Sequence, residues 1–329
     1  MKIALDIMGG DFAPRELILG AEKFAATGAA DLILVGRESD IRSILPSLPA
    51  GCEICDTPEF IEMNESPTQA LKKKRNASVA LAARLVKEGK ADGFVSAGST
   101  GAQMAASLLE IGRIPGIERP AAAVVFPTSK EKGVVVLDVG ANVDCKPHHL
   151  LHFALMGAAY SSCIFSIENP SVGLLNVGSE PGKGNEQSKA VYPLLETSIK
   201  NFAGNVEGDR LFEGVADVVV CDGFVGNVLL KASEGVSEGM THALMSAMKA
   251  AELPPEVVKV IYSGLKRYRV DAPEYSAAPL LGINGVSIVC HGKSKAPVIA
   301  NAIQLAVNYA AGNVVKNIAN NPLLAKKAA

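Results

Sequence analysis

Residues 134–150 read VVVLDVGANVDCKPHHL, and this stretch decides the fold class. The apolar run Val134–Leu137 is too continuous for a strand with one wet face and suits a strand covered on both. It ends at Asp138, and a loop of small and polar residues around Gly140 and Asn142 follows. Lys146-Pro147 then opens a helical pattern that runs through Tyr160, with Pro at the first helical position, where a missing N–H is harmless. Strand, glycine turn and helix in that order form the repeating unit of a parallel α/β sheet.

The same unit recurs outward in both directions. Lys2–Ile7, Asp31–Gly36, Cys52–Cys55, Gly93–Ser96, Ala121–Phe126, Ser171–Val177, Val218–Asp222 and Val286–His291 are further expected strands. Ser66-Pro67 starts a helix expected over Thr68–Lys87. The expectation from this alternation is a mainly parallel α/β sheet with helices on both faces, formed by one domain over residues 1–329. Residues 235–281 break the rhythm. Two helices divided at Pro254-Pro255 are expected there, without a strand, as a segment protruding from the α/β body. The first carries Met240, Leu244 and Met248. The second places Val257, Ile261, Leu265 and Tyr268 on one stripe, with Lys259, Lys266, Arg267 and Arg269 largely elsewhere.

Composition narrows the function. Only 20% of the 329 residues are charged, Trp is absent and the net charge is −2, so no overall field recruits nucleic acid. The start, MKIALDIMGG, turns polar too soon for a signal peptide, and the apolar stretch Leu150–Phe165 is short for a bilayer span and interrupted by His152. The cysteines at 52, 55, 145, 163, 221 and 290 are scattered through apolar segments. They read as reduced core residues of a cytoplasmic protein.

Ligands of open α/β sheets bind beyond the carboxyl ends of strands, where glycine turns expose N–H groups at helix starts. Candidate turns of this kind begin at Met8, Ala97, Val139, Gly178, Asp222 and His291. None reads G-x-G-x-x-G. Gly178–Lys183 is one residue short of a P-loop, and Gly184 stands where a magnesium-binding Ser or Thr belongs, so a nucleoside triphosphatase is not expected. The loop still suits a small anion, because Lys183 supplies charge while Gly182 and Gly184 allow close approach. Cys52-x-x-Cys55 and the His148, His149, His152 group lack the companion ligands of a metal site, and no metal is expected.

Taken together, six segments closely resemble the acyl-ACP:phosphate acyltransferases of bacterial phospholipid synthesis. They are DIMGGDFAP (Asp6–Pro14), SAGSTGA (Ser96–Ala102), LDVGANVDC (Leu137–Cys145), NVGSEPGKGNE (Asn176–Glu186), CDGFVGNVLLK (Cys221–Lys231) and PLLGINGVSIVCHGKS (Pro279–Ser294). Two positions depart from the family. Ser99 stands where Asn is usual, and Ser276-Ala277 stand where glycine is usual. The resemblance implies a doubly wound, mainly parallel, Rossmann-like α/β fold related to phosphotransacetylases and isopropylmalate-type dehydrogenases, a homodimer and no cofactor. It also implies transfer of an acyl group from acyl carrier protein to inorganic phosphate, and peripheral attachment to the inner face of the cell membrane. The acyl phosphate would feed a membrane glycerol-phosphate acyltransferase making phosphatidic acid.

On that footing Lys183, Asp222, Asn227 and His291 are the expected catalytic residues. Lys183 and Asn185 would hold phosphate with the 178–186 loop, including Gly182, Gly184 and Glu186. Asp222 or His291 would manage a proton. Asn142, Asn227 and the amides of Ser99, Thr100 and Gly101 are candidates for phosphate or oxyanion contacts. Gly9, Gly10, Asp11, Asp138, Gly223, Gly226 and Ser294 complete the expected binding loops. Asp11, Asp138 and Asp222 each have a competing role as a turn or helix cap, and His291 as a structural strand-end histidine. Buried Cys221 and Cys290 are not expected to act as acyl nucleophiles. Val257, Ile261 and Leu265 are the expected membrane contact, shared with a dimer interface. The Lys72–Arg75 run reads either as a solvated helix face or as a steering patch for the acidic carrier protein. The alternatives are an acyl-CoA-dependent phosphotransacetylase and a non-catalytic phosphate- or lipid-binding scaffold.

Overall fold

The computed structural model describes residues 1–130, 132–266, 268–270, 272 and 276–325. Arg267 and positions 271 and 273–275 of the expected helical segment lie outside the described residues. Strands are β1 Lys2–Asp6, β2 Asp31–Gly36, β3 Cys52–Asp56, β4 Gly93–Ser96, β5 Ala121–Phe126, β6 Val134–Leu137, β7 Val172–Asn176, β8 Phe202–Glu207, β9 Val218–Val220, β10 Ala277–Leu281 and β11 Val286–Cys290. The α-helices are α1 Arg15–Ala25, α2 Glu38–Ile44, α3 Pro67–Lys73, α4 Ser78–Lys87, α5 Thr100–Ala106, α6 Pro147–Phe165, α7 Glu186–Ser198, α8 Gly223–Ala250, α9 Pro255–Lys266, α10 Ala296–Ala311, α11 Val314–Ala319 and α12 Pro322–Ala325.

The chain divides into two compact units, Met1–Ala122 with Ser276–Ala329, and Ala123–Tyr275. In the first unit the strand order is β3-β2-β1-β4-β11-β10, followed by the start of β5. The first five of these are mutually parallel, while β10 runs antiparallel to β11 and to Ala121-Ala122. In the second unit the remainder of β5 pairs antiparallel with β6, and β6-β9-β7-β8 are parallel.

The continuous apolar runs explain the layering. Ala4, Ile33, Val35 and Phe94 pack in one core cluster with Ala80 and Ala83 of α4 and Ala102 and Ala106 of α5. Their alternating neighbours Ile3, Leu5, Leu32, Leu34 and Val95 point to the other face and are equally buried. Both faces of the parallel strands are therefore covered, as the sequence runs required.

Four local features differ from the sequence expectation. The 68–87 helix is two helices, α3 and α4, parted at residues 74–77. Strand β8 carries Gly204 and the polar Asn205, which break any apolar run. Strand β10 lies inside the segment expected to lack one; AAPLL is short and holds Pro279, a poor strand signal. The first long helix begins at Gly223, far earlier than residue 235, so glycine-rich residues that read as loop are its first turns. Among the described residues no helix is long and apolar enough to cross a membrane.

Candidate active site

In the first unit, the loops after β1, β4 and β11 meet. Gly9 and Gly98 approach so closely that a side-chain carbon on Gly9 would lie 2.7 Å from the Gly98 nitrogen, which only glycine permits. The Asp11 amide donates to the Gly292 carbonyl at 2.8 Å, and Gly10 adopts a positive φ of 109° beside it. These contacts bring Gly9, Gly10, Asp11 and the Ser99 loop together with the His291–Ser294 turn. His291 is exposed, and its Nδ1 accepts the Lys293 amide at 3.2 Å. The Ser294 hydroxyl is buried without a hydrogen-bond partner among the described residues. Ser99 is the N-cap of α5, its Oγ accepting the Ala102 amide at a long 3.5 Å. The α5 start, with Thr100 and Gly101, thus opens towards solvent with a weak cap.

Asp6, absent from the expected site residues, organises this arrangement. Its carboxylate accepts the Met8 amide at 3.1 Å and the Ser96 hydroxyl at 2.7 Å, and Ser96 Oγ in turn accepts the Gly98 amide at 3.1 Å. One carboxylate therefore ties the first glycine loop to the second. Burial pushes its pKa up, opposed by hydrogen bonds from Ser78, Ser96 and the Met8 and Gly9 amides. The strand register that sets Asp6 beside Ser96 brings the two together across 90 residues of chain.

In the second unit, Asp138 is wholly buried and accepts the amides of Gly140, Ala141 and Asn142 and the Asn142 side-chain amide, at 2.7 to 3.2 Å. Its carboxylate is thus committed to its own loop. The start of α8 packs onto that loop: the Gly223 amide donates to the Asn142 carbonyl at 2.8 Å, and a side chain on Gly226 would collide with the Asp138 carbonyl oxygen. Asn227, one residue on and exposed, lies beside Gly140. Asp222 is the N-cap of α8, with Oδ1 accepting the Val225 amide at 2.8 Å. The residue is half-buried, and the capping bond uses one of its two carboxylate oxygens.

The 178–186 loop is held from below by two asparagines that sequence reading had not singled out. The Asn176 amide donates to the Lys183 carbonyl at 3.1 Å and to Asn205 at 3.0 Å, while Asn205 donates to the Glu180 carbonyl at 2.7 Å. Lys183 is exposed and makes no ion pair among the described residues. Its stem passes over Gly178, with Gly182 open beside it and Gly184 at a positive φ of 99°. Asn185 is the N-cap of α7, accepting the Ser188 amide and hydroxyl at 2.8 Å each, and Glu186 occupies the first helical turn. An exposed cation, a glycine turn and a helix start are the features by which a loop can hold a small anion.

Cys221 and Cys290 are buried core thiols, whereas Cys52, Cys55, Cys145 and Cys163, expected in the core, are only half-buried. Burial, then the carboxylates of Asp138 and Asp222, push Cys221 well above the ordinary thiol range, and burial pushes Cys290 up to about 12. Neither presents a thiolate near neutral pH. His149 Nδ1 accepts the Lys146 amide at 3.1 Å and so closes the start of α6.

Comparison with known proteins places the chain. The sequence matches the fatty acid synthesis protein family over residues 1–317. It is 48% identical over 323 residues to a phosphate acyltransferase of Desulfitobacterium hafniense, covering 97% of this chain and 96% of that one. A phosphate acyltransferase of Moorella thermoacetica is 49% identical over 332 residues, covering 98% and 96%. Among solved structures, a phosphotransacetylase from Streptococcus pyogenes superimposes with a TM-score of 0.64 at 17% identity over 94% of each chain. A putative 4-hydroxythreonine-4-phosphate dehydrogenase from Salmonella typhimurium gives 0.54 at 13% identity, over 94% of this chain and 99% of that one. These structures establish the doubly wound α/β fold alone, whereas the sequence relatives establish more: the chain belongs to the fatty acid synthesis protein family, as one of its phosphate acyltransferases.

Proposed function

We propose that this chain transfers a fatty acyl group from the thioester of an acyl carrier protein to inorganic phosphate. The observation that carries the reading is the 178–186 loop before α7, in which the exposed Lys183, making no ion pair among the described residues, passes over Gly178 with Gly182 open beside it. A phosphate oxygen attacks the thioester carbonyl carbon, and the tetrahedral oxyanion collapses. The carbon–sulfur bond then breaks, giving acyl phosphate and a thiolate that takes up a proton. Phosphate dianion is already a competent nucleophile, so positioning and charge neutralisation are the main tasks. Lys183 and the loop amides hold phosphate. Asn142, Asn227 and the Ser99–Gly101 amides are the candidate donors to phosphate or oxyanion. Asp222 or His291 handles the proton on phosphate or on the departing thiol.

The product is consumed by a membrane glycerol-phosphate acyltransferase on the way to phosphatidic acid, and the enzyme works as a cytoplasmic homodimer resting on the inner membrane face. Support for that placement comes from α8 and α9, where Met240, Val257, Val260 and Ile261 are exposed apolar residues. Leu265 instead lines a cavity of about 510 Å³ with Leu229, Val236 and Met240. The second reading is a phosphotransacetylase using acyl-CoA, favoured by the fold likeness. Turnover of matched palmitoyl-ACP and palmitoyl-CoA separates the two: preference for the carrier protein supports the proposal, and preference for CoA overturns it.

A further inference from the structure

The Lys72–Arg75 run does not act as one unit. Lys74 turns inward, its Nζ 2.6 Å from Glu65 and 3.0 Å from the Phe60 carbonyl. Lys72, Lys73 and Arg75 stay exposed, and none joins an ion pair among the described residues. The inward lysine holds the loop preceding α3 against the first unit's glycine turns. The Met63 methyl lies 3.2 Å from where a side-chain carbon on Gly292 would sit, with Asp11 Oδ1 3.3 Å from the same point. At the start of α3, the Pro67 ring is 2.9 Å from the corresponding point on Gly101. Lys72 and Lys73 therefore stand at the end of a helix that borders the candidate site through Met63 and Pro67, with Arg75 in the turn just after it.

Beside them is a groove of about 290 Å³, lined by Leu71, Lys72 and Arg75 on one side and Ala106 and Leu109 on the other. Leu109 is 63% exposed. The other groove cation, Arg84, is spent on Glu110 at 3.0 Å. Helix α5 connects this groove to the Ser99 loop, since Ala106 lies six residues after Thr100, a rise of about 9 Å.

We propose that Lys72 and Arg75, which line this groove with Leu109, and the exposed Lys73 next to Lys72 dock the acidic protein that carries the acyl thioester. Its prosthetic arm then runs along α5 to the Ser99–Gly101 loop. This rests on the acyl-carrier reading of the donor. The net charge of −2 gives no general attraction for an acidic partner, so attraction has to come from a local cluster such as this one. An exposed leucine sharing a groove with exposed cations also joins the apolar and polar elements that an interface combines.

The test uses the full-length protein with two variants, Lys72→Glu/Arg75→Glu and Leu109→Asp, both at exposed positions. Palmitoyl-ACP and palmitoyl-pantetheine are the donors. The charge-reversed variant should raise the KM for palmitoyl-ACP about tenfold at low salt with kcat kept, a difference that shrinks as salt rises. Leu109→Asp should raise the same KM without the salt dependence. Turnover of palmitoyl-pantetheine, which lacks the protein, should stay within twofold of wild type, roughly the scatter of rim mutations. An unchanged KM for palmitoyl-ACP overturns the docking face. So does a parallel loss on both donors, or a loss confined to binding of anionic lipid vesicles. A wild-type enzyme that uses palmitoyl-pantetheine and palmitoyl-CoA but not palmitoyl-ACP overturns the donor reading itself.

Discussion

Each unit ends a central strand in an almost fully buried aspartate, yet the two carboxylates do different work. Asp138 folds its own loop, accepting hydrogen bonds from Gly140, Ala141 and Asn142. Asp6 bridges two loops, one of its oxygens serving Met8 and the other Ser96 from a neighbouring strand. The first device is local and would survive slippage of the sheet. The second exists only when β1 and β4 are in register. The units also differ in what they present: the first a tight backbone surface of glycines, the second an exposed Lys183 that makes no ion pair among the described residues.

The largest effect should come from the second unit's cation. Lys183→Ala removes a charged phosphate ligand from an exposed loop, so kcat/KM for phosphate should fall about a hundredfold while the melting temperature stays put. Wild-type turnover in the folded variant would end that assignment. Next come the close approaches. Gly226→Ala drives a methyl into the Asp138 backbone and Gly9→Ala drives one into Gly98; each should cost about 3 kcal/mol in urea unfolding, because backbone cannot yield as a side chain can. A Gly226→Ala protein as stable as wild type would show that the α8 start is not seated on that loop.

The contrast between the aspartates can be sharpened by pH. Below the ordinary carboxylate range, Asp6 is protonated both folded and unfolded. Between that range and its raised folded value, the unfolded chain ionises first, so wild-type stability falls as pH rises and then levels off. Asp6→Asn does not titrate there, so its stability relative to wild type should improve across that window, while kcat falls because the two loops lose their shared anchor. A stability difference between the two proteins that is flat with pH would refute the burial penalty. The smallest change is Ser99→Asn, which installs the family's usual residue. Asn caps helices as well as Ser, so melting should shift by less than about 0.5 kcal/mol equivalent, and activity should be kept or raised. Loss of activity would show that serine itself is needed.

Much of this was legible in the sequence because buried parallel strands announce themselves as uninterrupted apolar runs. Val134–Leu137 and Gly93–Ser96 are such cases, and both strands lie where they were expected. Strands β8 and β10 were hidden because Gly204, Asn205 and Pro279 dilute the pattern. The site loops were legible as glycine clusters after strands. Their supports were not: Asp6 meets Ser96, and Asn176 meets Asn205, only through strand order, which no local pattern encodes. Likewise the Lys72–Arg75 run looked uniform, and only the fold shows that Lys74 faces Glu65 while its neighbours face solvent.

The central claim is the reaction, and the direct measurement is phosphate-dependent release of free carrier thiol from palmitoyl-ACP, with hydroxylamine present to trap the product. Thiol release that requires phosphate and yields palmitoyl hydroxamate is the predicted result. A folded protein that releases no thiol, or releases it equally without phosphate, would contradict the account.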